Sequence, residues 1–547
     1  MSIEDENHLS FKNEKGNVDV QNVEDGGYTE PTNQDLALNR QLKNRHVAMI
    51  SIGSVIGTGL FLGSATALTS GGPVGTLLGY AFMGTIVWCV MVSIGEMIAF
   101  LPIAGGQIKL AGRFVDPAFG FAVGWSFWYG WTVPELSAAA TLIDFWQPGV
   151  SNGVWITICL VVAVGINMSG VGVYGECEFI FSSIKVITIT ALIILGIILD
   201  LGGGPTHDRI GFRYWKNPGP FVQFNNIPGG TGRLVGWSRV VIQAAFSYAG
   251  TETVAIAAAE AKNPRRNLPK AIRRVFFRIV VFYIGGVFVV GLLVPSNDPR
   301  LNLAGDNATA SPFVIAMDNA GIKGLTSVIN AALLTAAWSA ASSDLYLASR
   351  GLYGLATAGN APKIFTRTIR GGFPYVCVSF CAAFSLLSFM SLASSSGQVF
   401  LWLSSLTATC GLWGWCAIGI TYLRFRKGFL AQGMDRSKLP YTSALQPYAA
   451  WWVVIGCVLC MIFSGYEVFL TGGWNTATFV TNYLPIILFP LLWVGCKFYK
   501  GTKFFIPPMD MDFVSDVKEI DAITTEDPPP RNWVERVWMA IALNIAS

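Results

Sequence analysis

The sequence predicts an all-α polytopic membrane protein with twelve transmembrane helices, the first and sixth of them broken. Three observations carry this. Hydrophobic residues fill 52% of the 547 positions and charged residues only 13%, about half the charged share of ordinary soluble domains. The apolar residues are gathered into long runs. Glycine-threonine steps interrupt two of those runs at mid-span. A chain this long that cannot cover its surface with charge is excluded as a soluble enzyme, a disordered protein or a nucleic-acid binder.

A helix needs about 20 apolar residues to cross a ~30 Å hydrocarbon core. Such runs occur at 46–69, 75–101, 119–146, 153–170, 178–201, 236–259, 276–296, 322–348, 374–394, 398–423, 447–470 and 478–499. They divide the chain into an acidic N-terminal tail (1–45), a first five-helix repeat (46–201), an extracellular loop (202–235), a second five-helix repeat (236–425), two further helices (426–499) and a C-terminal tail (500–547). Residues 1–45 hold 5 basic and 9 acidic residues, and 500–547 hold 5 and 8, which leaves 27 basic and 16 acidic in 46–499. The acidic tails read as disordered. No apolar run precedes His46, so the first span is expected to act as its own insertion signal.

Orientation follows from Lys and Arg in the loops. Lys109 and Arg113 lie between spans 2 and 3, and Lys262, Arg265, Arg266, Lys270, Arg273 and Arg274 between spans 6 and 7. Arg350, Lys363, Arg367 and Arg370 follow span 8, and Arg424, Arg426, Lys427, Arg436 and Lys438 follow span 10. These loops alternate with nearly uncharged ones, which places both termini in the cytoplasm. The long 202–233 loop, with Arg209, Arg213, Lys216 and Arg233, departs from the rule, and long loops determine topology weakly. Asn307-Ala308-Thr309 is then an outward-facing glycosylation sequon.

The ten cysteines sit mostly inside apolar runs. Cys457-x-x-Cys460 has redox spacing but lies mid-helix in a stretch that looks lipid-exposed, so small apolar packing is the reading. His8, His46 and His207 are the only histidines, and none adjoins a ligand cluster. No metal site or cofactor is indicated.

Span 1 reads Ser51-Ile52-Gly53-Ser54-Val55-Ile56-Gly57-Thr58-Gly59-Leu60-Phe61. Each glycine weakens a helix by about 1 kcal/mol relative to alanine. Span 6 reads Phe246-Ser247-Tyr248-Ala249-Gly250-Thr251-Glu252, a Gly-Thr step followed by a carboxylate. In a bilayer the amides and carbonyls freed at such breaks need partners. A zwitterion supplies both, its carboxylate to the amides and its ammonium to the carbonyls. Gly53-x-x-x-Gly57 also fits close helix packing, so span 1 alone is ambiguous. The second break falls five spans later, as two inverted five-helix repeats require, and this favours a binding site at Ser54, Ile56, Gly57, Thr58, Gly59, Phe246, Ser247, Ala249, Gly250 and Thr251.

Glu96, Glu135, Lys185 and Glu252 lie in or near spans, where a lipid-exposed charge costs several kcal/mol. Lys185 has two readings: its amine snorkels to the interface, or it sits against the broken part of span 1 and couples protons to a conformational change. Glu252 is read as a coupling residue or as a lock on the second break, and Glu96 and Glu135 as structural hydrogen-bonders.

These motifs resemble the fungal amino-acid permeases of the amino acid–polyamine–organocation superfamily. The resemblance rests on Arg45-His46, Ser54 to Phe61, Ser93-Ile94-Gly95-Glu96-Met97, Arg113-Phe114-Val115-Asp116-Pro117-Ala118, Gly250-Thr251-Glu252, Glu260 to Arg266 and Asn297-Asp298-Pro299, and it runs from about 38 to 500. Leu201 to Trp215 and Ser343-Asp344-Leu345-Tyr346 are similar to the dicarboxylic branch. The resemblance implies the leucine-transporter fold and proton-driven uptake of L-amino acids at the plasma membrane, including acidic ones. It implies that Thr58 and Gly59 receive the substrate carboxylate, that carbonyls near Phe246 and Ala249 receive its ammonium, and that Phe246 gates the site. It puts Lys185 where sodium-coupled relatives bind their ion. It also makes Lys12 and Lys15 candidate ubiquitin acceptors for the ligase machinery.

Trp131-Thr132-Val133-Pro134-Glu135-Leu136 is two or three residues shorter than the family pattern, which would rotate the rest of span 3. An acidic substrate would need a cation for its second carboxylate, and no mid-span cation beyond Lys185 is evident; Ser404, Ser405, Thr407 and Thr409 offer only hydroxyls. A neutral or broad permease, and an amino-acid sensor on the same fold, are the alternatives. The short N-terminal tail favours transport over sensing. An enzyme would need a catalytic constellation that the chain does not display. An amphipathic segment at 532–545 is expected to lie on the membrane surface.

Overall fold

The computed structural model describes residues 56–103, 105–131, 134–253, 272, 274–303, 311–322, 324–369, 373–470, 473–502, 504–515 and 517. Among them every regular element is a helix, and the β contact seen is a single bridge between Ile369 and Phe373. The principal helices are α1 (Thr58–Phe61), α2 (Gly63–Phe100), α3 (Gly106–Phe114), α4 (Pro117–Gly130), α5 (Pro134–Asp144), α6 (Asn152–Met168), α7 (Val171–Asp200) and α8 (Gly229–Tyr248). They continue as α9 (Arg274–Leu293), α10 (Pro312–Asn319), α11 (Leu325–Thr357), α12 (Tyr375–Leu392), α13 (Ser396–Ala431), α14 (Tyr448–Phe469) and α15 (Thr476–Lys500). Among the described residues eight are long and apolar enough to cross a membrane: α2, α7, α9 and α11 to α15. The protein is an all-α, multi-pass membrane protein.

α2 is two helices run together across a sharp reversal. Gly59 and Tyr80 both meet Ser247, yet 21 residues of straight helix would set them ~31 Å apart. The chain reverses at Gly72, whose φ is +73° and which is followed by Pro73. A side chain at Gly72 would stand 2.8 Å from the Pro220 carbonyl oxygen, so the turn requires glycine twice over. The apolar run at 119–146 is likewise divided, into α4 and α5.

α4 starts where Asp116 accepts from the amides of Ala118 (2.7 Å) and Phe119 (3.1 Å), with Pro117 in the first turn, a strong N-terminal signal. The other Asp116 oxygen takes Trp493 at 3.1 Å and faces Lys497 at 3.2 Å, so the cap also ties α4 to α15.

α7 begins at Val171, seven residues before the expected 178. Its exposed Ile180, Ile187 and Ile194 recur every seven residues, a stripe facing lipid, and its opposite face turns inward. Two other expectations are corrected. Cys457 and Cys460 are buried, not lipid-facing. And the first part of the C-terminal tail is ordered by packing: the Ile506 amide bonds the Val115 carbonyl at 3.0 Å, Gln432 reaches the Met511 carbonyl at 2.7 Å, and Arg113 pairs with Asp512 at 2.9 Å. Phe513 stacks on Phe114 at 5.1 Å and meets Phe425 and Phe429. The 504–515 strap thus closes one end of the bundle. Lys12, Lys15, Asn307 and the 532–545 segment lie outside the described residues.

Glu96 is the structural hydrogen-bonder expected of it. It accepts from Tyr422 at 2.5 Å and the Ser443 amide at 2.7 Å and is paired with Arg436, which joins α2 to α13 and the loop after it. Glu135, the other carboxyl read that way, belongs to the site itself.

Candidate functional site

The first break runs through Ile56, Gly57, Thr58 and Gly59; Ser54 lies outside the described residues. Gly57 is extended (φ −144°), and its carbonyl accepts from the amides of Leu60 and Phe61 as a helix starts at Thr58. The second break follows Phe246, Ser247 and Tyr248. Ala249 leaves the helix with ψ 142°, and Gly250 takes φ +83°, a conformation that favours glycine. A side chain at Gly250 would also strike Trp131 at 2.7 Å. Thr251 turns its hydroxyl back to the Tyr248 carbonyl at 2.7 Å.

The two breaks touch. A Cβ on Gly59 would stand 2.6 Å from the Cα of Ser247, so the segments pass backbone to backbone. The Ser247 hydroxyl is 2.8 Å from the Tyr80 hydroxyl and donates to the Gln243 carbonyl at 3.0 Å. Phe246 is buried edge-on against Phe400, with ring centres 5.7 Å apart. The Thr58 hydroxyl donates to Glu135 at 2.7 Å, which brings span 3 against the first break.

Beyond the second break, Glu252 accepts from the Trp415 indole at 2.9 Å, and the buried Arg278 guanidinium donates to the Thr251 hydroxyl at 3.0 Å. Glu252 is therefore tied to α13. A cavity beside the break is lined by Trp131, Gly250, Glu252, Thr407, Cys410 and Gly414. Of the four α13 hydroxyls singled out from the sequence, Ser404, Ser405 and Thr409 donate to carbonyls of their own helix. Thr407 lines the cavity with its hydroxyl unbonded among the described residues.

Lys185 does not snorkel. Its side chain is wholly buried, and its Nζ lies 4.0 Å from Glu178. Glu178 accepts from Ser182 (3.1 Å), Ser339 (2.9 Å) and Ser343 (3.1 Å). Below it Tyr174 bonds Ser343 at 3.2 Å and stacks flat on Tyr346 at 4.1 Å, with Arg350 over the second ring at 3.8 Å. Glu178 and Arg278 escaped the sequence reading because each falls at the edge of an apolar run. The available signal was the serine set, Ser182 one turn along α7 and Ser339 and Ser343 one turn apart on α11.

A bundle of apolar helices in which the start of α1 and the end of α8 meet backbone to backbone beside buried polar groups is the arrangement the family match then explains. Residues 46–505 match the amino acid permease family, and the chain belongs to it. It is 43% identical to the proline-specific permease of Emericella nidulans, covering 92% of this chain and 93% of that protein. It is 42% identical to the dicarboxylic amino acid permease of Saccharomyces cerevisiae (91% and 83% covered) and 40% identical to the lysine-specific permease of the same organism (93% and 84%).

Proposed function

We propose that the chain is a proton-coupled symporter that imports L-amino acids across the plasma membrane. The observation that carries this is the backbone-to-backbone meeting of the breaks at Gly59 and Ser247. The architecture proposed is the leucine-transporter fold with both termini cytoplasmic. α1 and α2 supply crossings one and two, α4 with α5 the third, α6 and α7 the next two, and α8 the first half of the sixth. α9 and α11 to α15 complete twelve.

In this reading the amides from Ser54 and Ile56 to Gly59 hold the substrate carboxylate, which suits the positive end of a restarting helix. The carbonyls of Phe246, Ser247, Ala249 and Gly250, with Thr251 beside them, take the ammonium. Phe246 covers the site. Lys185 carries the coupling, and Glu252 holds the second break to α13. Asn307 as a glycosylation site and Lys12 and Lys15 as ubiquitin acceptors belong to the same proposal.

The substrate side chain is best neutral or cationic. Among the described residues the two cations buried near the breaks are engaged, Lys185 with Glu178 and Arg278 with Thr251 and, electrostatically, with Glu252. A second substrate carboxylate would be buried near Glu252 and Glu135 without a cation, at prohibitive cost. The relatives named for proline and lysine support this preference. The relative named for dicarboxylic amino acids keeps an acidic substrate as the second reading. The test is uptake of labelled proline, lysine and glutamate at pH 5 in permease-deficient cells. Proline or lysine uptake that excess glutamate leaves untouched supports the proposal. Glutamate uptake competed only by aspartate reverses the side-chain preference, and no uptake with the protein at the surface favours a sensor.

A further inference from the structure

This inference rests on the symporter reading and concerns where the transported proton is held. α5, α7 and α11 bring three carboxyls and one lysine together inside the bundle. Glu178 is committed: three serine hydroxyls bond it, and it faces the Lys185 amine at 4.0 Å. That pair is neutral as a unit, although the buried amine has no hydrogen-bond acceptor among the described residues. Glu135 takes the Thr58 hydroxyl and so adjoins the first break.

Asp344 differs from both. It follows Ser343 on α11, about 100° further round the helix, and lines a second cavity, walled by Trp128, Trp131, Leu136, Cys381 and Ser385. No hydrogen bond from the described residues reaches its carboxyl. Its neighbour Ser343 bonds Glu178, and Leu136, next to Glu135, lines the same cavity as Asp344. Cys381 on α12 is the other titratable group lining this cavity, and α4 and α6 contribute none. On its own helix Tyr346 is stacked on Tyr174, and Arg350 lies over Tyr346.

Charge counting then shows which groups must take up a proton. With all four groups ionised, three carboxylates against one ammonium leave an excess of two negative charges. An uncompensated charge is strongly disfavoured inside a bundle. Glu178 is balanced by Lys185, so the surplus falls on Glu135 and Asp344. Two carboxyls in mutual reach hold one proton far more tightly than a second and titrate as a pair. One member faces the substrate break and the other opens on a cavity.

We propose that Glu135 and Asp344 share one exchangeable proton, which is loaded and released at Asp344 through the Trp128–Trp131 cavity, so that Asp344 sets the number of protons moved with each amino acid. Loading forms an O–H bond on the Asp344 carboxylate with a proton from hydronium, which leaves as water; release is the reverse.

The test uses the full chain in proteoliposomes with an internal pH dye and a labelled mixture of the twenty L-amino acids outside. Protons and amino acids entering are counted at external pH 5.5 and 7, and counterflow exchange is measured at equal pH. Asp344→Asn keeps the shape and removes the proton site. It is expected to retain counterflow, to lose amino-acid-driven proton entry, and to bring the ratio of uptake at the two pH values down to about 1. Asp344→Glu is expected to restore both with a displaced pH midpoint. An Asn variant with the wild-type proton count and pH profile overturns the proposal while leaving the symporter reading intact. If the Asn variant lacks counterflow, the Glu variant decides: an unmoved midpoint overturns the proposal. Wild-type protein that brings in amino acids without protons overturns the symporter reading and this inference with it.

Discussion

Gly59→Ala tests the junction of the two breaks with a single methyl group. Its Cβ would stand 2.6 Å from the Ser247 Cα and 3.1 Å from both the Ser247 nitrogen and its Oγ. Carbon atoms pack at about 3.5–4.0 Å, so the segments must part by about 1 Å. The obstacle is backbone, and the Ser247 hydroxyl is held by Tyr80, so no rotamer change relieves it. Overpacking of this kind costs about 1–3 kcal/mol. Alanine's better helix propensity returns at most about 1 kcal/mol. Gly57 is the internal control, because a Cβ there meets only the Ala340 Cβ at 3.8 Å, an ordinary contact. The assay is thermal unfolding of purified protein alongside uptake in cells. Gly59→Ala should melt several degrees lower and lose about tenfold or more of its uptake, the scale that 1.4 kcal/mol sets. Gly57→Ala should melt like wild type. Wild-type melting and uptake in Gly59→Ala would refute the claim that the two breaks meet in contact.

Lys185→Ala leaves the Glu178 carboxylate buried without its cation, which costs about 3–5 kcal/mol; accumulation against a gradient should vanish, and adding Glu178→Gln should rescue expression but not accumulation. Full pH-dependent accumulation in the single variant would remove Lys185 from the coupling. Phe513→Ala empties the ring's place among Phe114, Phe425 and Phe429, a loss of about 3–5 kcal/mol; hydrogen exchange across 504–515 should rise, and unchanged protection would mean the strap is held by something else. Asp298 caps the turn at Pro299–Leu301, and Arg300, bonded to it at 2.7 Å and to Asp318 at 2.8 Å, holds its carboxyl below the usual carboxylate range. A lowered folded value gives stability that is present above the unfolded value near 4 and lost as pH falls through the folded one. The melting difference between wild type and Asp298→Asn should therefore hold steady from pH 7 to 5 and shrink below pH 4, whereas a difference already gone at pH 5 would contradict the ion pair's role.

The end of α8 at Ala249–Gly250 was legible because its signal is local: glycine and threonine in mid-span weaken a helix wherever the rest of the chain lies. The buried ion pair was not. Lys185 stood out as a cation in an apolar run, but Glu178 sits where α7 was expected to begin, and two of the three serines that bind it come from α11, more than 150 residues away. Glu96 was visible as a buried acid, yet its partners Tyr422 and Arg436 are set by packing and not by sequence distance. The strap was hidden by composition. Acidic residues at 510, 512 and 516 made the tail read as solvated, while Met511 and Phe513, alternating with them, are buried. Trp131, between α4 and α5, walls both cavities; periodicity alone could not place that ring.

The most direct test of the central claim is accumulation of labelled proline and lysine by permease-deficient cells expressing the chain, at external pH 5 and 7, with and without a protonophore. The account predicts concentrative uptake at pH 5 that falls at pH 7 and collapses when the proton gradient is dissipated. Concentrative uptake that ignores both pH and protonophore would contradict it.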